Sequence, residues 1–312
     1  KKSWTRPDVA FGAFANTGPD LSAAAPRRRS YVALLLLAPG ILYLVATFLA
    51  PLGSLLLTSF KEPGGDFEVG EYVYAFRWEN YAEALGRFGE IFLRTFGFSL
   101  LATIFALVIS YPLAYFIGVT LRRFPLWQSL ALILVIAPFF ISFLLRTLAW
   151  KAIFADEGPV VGFLQTLGIL GPEQYLNGTA FTVVFGLTYN YIPFMTLPIY
   201  ASLERLDLRY VEAGSDLYAG PAQRFLRIIL PLSLPGVVSG TLLTFIPASG
   251  DYVNASKDFL GSTNTVMAGN VINDLFFQSF YPVSAAVSIL LMIAILIPVI
   301  AYVVKSGSED LL

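Results

Sequence analysis

The sequence predicts an all-α, polytopic membrane protein with six transmembrane helices, and three observations carry that prediction. Apolar residues make up 56% of the chain and charged residues only 13%, with a mean hydropathy of +0.70. Soluble domains carry about 25% charge because their surfaces must be wetted. Six apolar stretches are long enough to cross a bilayer, and between the fourth and fifth lies a polar loop far better patterned than a bare connector needs.

A span requires about 20 mainly apolar residues, at about 1.5 Å of rise each across about 30 Å of hydrocarbon. The first runs from Tyr31 to Phe60, the second from about Thr95 to Val119 and the third from about Phe124 to Trp150. The fourth covers about Phe181 to Ala201, the fifth about Leu232 to Ala248 and the last Pro282 to Val304. Arg27, Arg28 and Arg29 precede the first span as they would a secretory signal. Its apolar run is longer than the roughly 7–15 residues of a signal core, so it reads as a retained anchor. Pro39, Pro51, Pro112, Pro138 and Pro193 predict kinks inside spans, which membrane helices tolerate when neighbours satisfy the freed carbonyls. Residues 1–30 read as a flexible cytoplasmic tail, 31–304 as the transmembrane domain and 305–312 as a cytoplasmic C-terminal tail.

Orientation follows from the distribution of Lys and Arg. With the N-terminus inside, thirteen of the twenty basic residues are inner and seven outer. Acids run the other way: thirteen of twenty-one are outer, seven of them in the Glu62–Glu90 loop. Both termini are therefore expected in the cytoplasm of a bacterial inner membrane protein.

Several chemistries are excluded. The chain has no Cys and no His, so thiol catalysis, disulfides, Cys/His metal sites and imidazole chemistry are absent. No G-x-x-x-x-G-K-[ST] loop offers an ATP site, and no basic stripe interleaved with aromatics suggests a nucleic acid. The scarcity of acids within the spans argues against an ion-coupled secondary transporter. The lack of clustered carboxylates argues against a membrane enzyme.

The loop over residues 202–231 carries the most information. Leu203, Leu206, Tyr210, Ala213 and Leu217 recur at three- and four-residue spacing, on one helical face. Arg205, Arg209, Glu212 and Asp216 lie off it. Ala219-Gly220-Pro221 breaks the helix, and a second short helix, Pro221 to Ile229, is expected to end at Leu230-Pro231. Such an element either lies on the headgroups or docks into the groove of a cytoplasmic partner.

Glu212-Ala213-Gly214 followed by Ile228-x-Leu230-Pro231 resembles the EAA loop of binding-protein-dependent (type I) ABC importer permeases: E-A-A, three residues, G, nine residues, I-x-L-P. Tyr218 stands where that pattern has its glycine, and Gly220, two residues on, is the candidate to carry the turn. Phe140–Trp150, Tyr191–Ser202, Pro231–Gly240 and Gly269–Ile272 resemble the spermidine/putrescine permease branch, and permeases for iron and thiamine are similar. The resemblance implies that Glu212, Ala213, Gly214, Asp216, Gly220 and Pro231 belong to coupling helices seated in a cleft of an ATPase subunit. It further implies a second permease subunit, an ATPase dimer that binds ATP and Mg, and an extracellular substrate-binding protein. This chain would need no cofactor and would move its solute by alternating access.

Charges at bilayer depth cost about 2.5–3.5 kcal/mol on insertion scales and are functional suspects. Arg146, near an outer helix end, is expected to snorkel. Tyr189, Asn190 and Tyr191, just ahead of Pro193, and Asp251, after Pro247-Ala-Ser-Gly250, are the candidates for the solute path. The plainer alternatives are a helix–helix hydrogen bond for Asn190 and a solvated loop position for Asp251. Gly236 and Gly240, four apart, suit either close helix packing or gating. A small cationic solute, a polyamine first among them, is expected.

Overall fold

In the computed structural model of the chain the described residues are 31–64, 70–171 and 173–307. The tail expected over 1–30 lies outside them, as do residues 308–312 of the other. The chain divides at Gly53–Ser54 into two units. In the first, α1 (Tyr31–Leu44) passes through a π-helical turn (Val45–Leu49) into α2 (Ala50–Ser59). Every side chain from Leu35 to Leu49 is exposed. A helix apolar on all faces suits lipid rather than water.

The second unit begins within α2 and continues into a short hairpin, β1 (Lys61–Pro63) antiparallel to β2 (Tyr72–Tyr74), with Lys61 opposite Tyr74. The all-α expectation therefore gains two short strands. Helices follow: α3 (Glu79–Tyr115), α4 (Pro125–Ile136), α5 (Phe143–Ile153), α6 (Pro159–Thr166) and α7 (Ala180–Glu204). After these come α8 (Arg209–Asp216), α9 (Pro221–Arg224), α10 (Leu230–Ser249), α11 (Ala268–Phe277) and α12 (Tyr281–Gly307). Among the described residues five helices are long and apolar enough to cross a membrane, or six when a bent pair counts as one span.

Three expected boundaries change. The second span begins at Glu79, not near Thr95, and runs helically to Arg123 over 45 residues. Its charged residues mask the first turns in a hydropathy reading, yet Ala84, Phe88 and Phe92 recur every four residues and pack against α11 and α12. The third span is broken: Pro125–Phe140 and Phe143–Ile153 meet at 94°. Pro138 sits in a 3-10 turn, and Ile141 and Ser142 take extended ψ values of 135° and 132° before the helix restarts. The fifth span is longer than expected, because α9 passes through a π turn (Phe225–Ile229) directly into α10, making 29 helical residues from Pro221 to Ser249.

That continuity has a local cause. Pro lacks the N–H for the i→i−4 bond, and its ring crowds the carbonyl four residues back. The wider i→i+5 turn relieves both problems. Two of the π turns end two residues before a proline, Val45–Leu49 before Pro51 and Phe225–Ile229 before Pro231. Pro231 therefore passes through the helix rather than ending it.

Three apolar clusters lie along α3. Ala84, Phe88 and Phe92 meet α11 and α12; Ala102 meets Val183 and Leu187 of α7; Ala114 and Ile117 meet Ile199 and Leu203 near the end of α7. α10 closes on α7 through the two small residues singled out in the sequence. A Cβ on Gly236 would lie 2.6 Å from the Pro198 carbonyl oxygen, and one on Gly240 would lie 2.9 Å from that of Met195. The spacing serves close packing.

Candidate functional site: a coupling loop and an outer polar network

The apolar stripe of the 202–231 loop does not lie on one helix. α7 ends at Glu204, and Leu203 and Leu206 bury in the core cluster at that end. Tyr210, Ala213 and Leu217 of α8 are exposed. Arg122 fixes the turn between them, donating from Nη1 to the Leu206 carbonyl (2.9 Å) and from Nη2 to that of Glu204 (2.7 Å). A cation there complements the partial negative charge of a helix C-terminus.

α8 packs on the segment that follows it through Gly214. This residue is buried, and a Cβ on it would meet Ile228 Cδ1 at 2.7 Å and Arg224 Cγ at 3.3 Å. Its small size thus serves packing inside the loop, while Glu212, Ala213, Asp216 and Gly220 are exposed around it. Arg224 reinforces the contact with a hydrogen bond from Nη1 to Ser215 Oγ.

The turn after α8 falls on Tyr218, not Gly220. Tyr218 has φ +57°, whereas Gly220 is extended at φ −65°, ψ 165°. Ala219 N–H donates to the Gly214 carbonyl (3.0 Å) and Tyr218 N–H to that of Ser215 (2.9 Å). These are the paired bonds of a Schellman C-cap, whose left-handed residue is usually glycine. The chain turns left-handed at the position where the EAA pattern has its glycine, and the Tyr218 side chain is 98% exposed.

At the far end of α10 the expected path residues turn inward. Asp251 is 6% exposed, so it is no solvated loop acid. Its Oδ1 accepts from the Asn254 backbone N–H (2.8 Å) and its Oδ2 from Asn254 Nδ2 (3.0 Å). Burial pushes the Asp251 carboxyl up to about 6, against the lowering effect of those two bonds. Asn254 Oδ1 in turn accepts from Asn190 Nδ2 (3.2 Å), which also reaches Thr147 Oγ1 of α5 at 3.4 Å. The chain Asp251–Asn254–Asn190–Thr147 thus ties the loop after α10 to α7 and to the bent half-helix. Tyr191 is buried beside it with Ala248 and Ala255. Tyr189 faces elsewhere, 5.2 Å from the Trp150 ring. Arg146 departs from expectation too: Nε and Nη1 are buried with no partner among the described residues.

Asn254, Thr147, Gly186 and Gly269 were not singled out in the sequence. The acid–x–x–Asn spacing of 251–254 is the local signal for a side chain bonding the backbone three residues on. Gly186 carries no sequence signal, and Gly269 enters only as the first residue of the Gly269–Ile272 segment. A Cβ on Gly186 would meet Asn254 Oδ1 at 2.6 Å, and one on Gly269 the Asp251 carbonyl at 2.6 Å.

Known proteins were compared with this arrangement. No family model matches the chain. The spermidine/putrescine transport system permease protein PotB of Haemophilus influenzae is 33% identical over 88% of this chain and 89% of its own length. The chain belongs to the spermidine/putrescine ABC transporter permease family. PotB of Escherichia coli K12 is 34% identical over 73% of this chain and 82% of its own. A solved bacterial ABC transporter involved in import of the acidic polysaccharide alginate has the same fold, with a TM-score of 0.67 and 16% identity. That likeness covers 90% of this chain and 97% of the other. The protein is accordingly a non-catalytic, multi-pass inner-membrane permease subunit.

Proposed function

We propose that this chain forms one membrane-spanning half of an ATP-driven importer of polyamines. The observation that carries the substrate class is its 33% identity to the Haemophilus influenzae spermidine/putrescine permease over 88% of the chain. A second permease subunit completes the pore, and an ATPase dimer binding ATP and Mg receives the α8–α9 loop. An extracytoplasmic binding protein delivers the solute. Both termini and the loop face the cytoplasm. Alternating access needs a bistable helix assembly rather than a chemical site.

The exposed Tyr210, Ala213 and Leu217, flanked by Glu212 and Asp216, support the loop as the docking surface, with Gly214, Gly220 and Pro231 setting its shape. Asp251, Asn190 and Tyr191, gathered between α7 and the loop after α10, and Tyr189, on another face of α7, are the pathway positions of this reading. The test is reconstitution of the full complex in proteoliposomes. ATP-dependent uptake of labelled spermidine is expected. ATPase stimulation by a binding protein loaded with a neutral sugar, and none by one loaded with polyamine, would overturn the reading.

A further inference from the structure

We propose that an outer cavity on this chain receives the solute, holding an ammonium group of a polyamine at the carboxylates of Asp258 and Asp274. The inference rests on the polyamine reading above. The cavity, about 630 Å³, lies between the loop of Tyr252 and Phe259 and the side of α11. Small-molecule sites occupy roughly 300–1,000 Å³. It opens near the end of α10 opposite the coupling loop, about 30 Å away at 1.5 Å per residue over the twenty residues of that helix.

Its chemistry matches a flexible polycation. A primary ammonium carries three N–H donors and no acceptor, and charge-assisted bonds to carboxylates are about twice as strong as neutral ones. Asp258 comes from the loop and Asp274 from α11, and neither has an ion-pair partner among the described residues. Asn273 and Gln278 add amide oxygens. Tyr252 and Phe259 add aromatic side chains to the lining, against which methylene segments and a second cationic group can pack. Among the lining residues two carboxylates outnumber one ammonium, that of Lys257, which favours a cationic solute over an anionic one.

The walls are built rather than incidental. Lys151 Nζ donates to the Asp258 backbone carbonyl at 2.8 Å. Asn270 bridges the walls, accepting from Met267 N–H (3.0 Å) and donating to the Tyr252 carbonyl. Close approach at Gly269 seats α11 against the loop. Lys257 also lines the cavity, yet it forms no ion pair with either carboxylate. Its ammonium competes with an incoming cation for the same field.

The test uses the full complex in proteoliposomes, with labelled spermidine delivered by saturating loaded binding protein. Asp258→Asn and Asp274→Asn should each lower the uptake rate about tenfold, the factor for losing one charge-assisted hydrogen bond. Both variants should still co-purify with the ATPase, since the side chains are exposed. Lys257→Gln should raise uptake. Glu71→Gln, which removes an outer charge that is not part of the cavity lining, should leave it at the wild-type rate. Wild-type uptake of spermidine with unchanged rates in both Asp variants would overturn this site and leave the polyamine reading standing. No wild-type response to spermidine would remove both. Loss of ATPase stimulation by unloaded as well as loaded binding protein would make the cavity a protein-docking surface, and would also overturn the proposal.

Discussion

Tyr218 holds its side chain in a backbone region that costs an L-residue about 1–2 kcal/mol and glycine nothing. Tyr218→Gly should therefore stabilise the turn after α8 by about 1 kcal/mol, read as slower proteolysis within the loop. Tyr218→Ala keeps the Cβ and should bring no such gain. Equal protection in the two variants would show that the left-handed geometry carries no cost there. Asp251 gives a second residue-scale prediction. Its carboxyl sits at about 6, raised by burial from an ordinary 3.8. The folded chain therefore binds this proton more tightly than the unfolded chain, so the group's contribution to stability declines as pH rises from about 4 to about 6 and stays low above that. Melting temperatures at about pH 5 and about pH 7.5 should differ more in the wild type than in Asp251→Asn. An identical pH dependence would refute the buried-charge account. The burial of Asp251 was not legible in the sequence, because it arises only when distant segments meet; the turn at Tyr218 is local, but a side chain where a glycine is usual hid it.

The α8–α9 loop was legible as an element, because its periodicity and its Gly-Pro break are local. What its small residue does was not. The EAA pattern suggests that a small side chain at position 214 admits the partner, whereas Ile228 and Arg224 crowd that position from within the chain. Gly214→Leu should overpack the loop at a cost of about 1–3 kcal/mol, loosening it to protease and abolishing ATPase association together. Ala213→Leu, on the exposed face, should leave the loop protease-resistant and alter association alone. If Gly214→Leu kept the loop intact and lost only the ATPase, the older reading would return. The first turns of α3 and the break in the third span failed in the sequence for related reasons. Charged faces hide a helix whose apolar side meets α11 and α12, and proline signals a kink without its angle. Here that angle is 94°.

For the whole molecule, the thirteen-to-seven split of basic residues predicts a cytoplasmic coupling loop and an extracytoplasmic β1–β2 hairpin. The chain contains no Cys, so single cysteines can report each side. In intact cells an impermeant maleimide should label Glu71→Cys and spare Ser215→Cys. The opposite pattern would invert the topology and place the outer cavity in the cytoplasm.

Hydropathy and helical spacing by themselves marked this chain as a multi-pass membrane protein with a patterned polar loop between its fourth and fifth spans, and the residues of that loop carried its resemblance to the EAA pattern. Each is a short-range property, set by bilayer thickness and the pitch of a helix. The tertiary structure alone decided where the polar groups point. It enclosed Asp251 and Asn190 in one buried network, turned Gly214 inward, passed the helix through Pro231, and brought Asp258 and Asp274 to the lining of one cavity. Contacts between residues far apart in the chain determine burial, and no local pattern encodes which distant surface a side chain will meet.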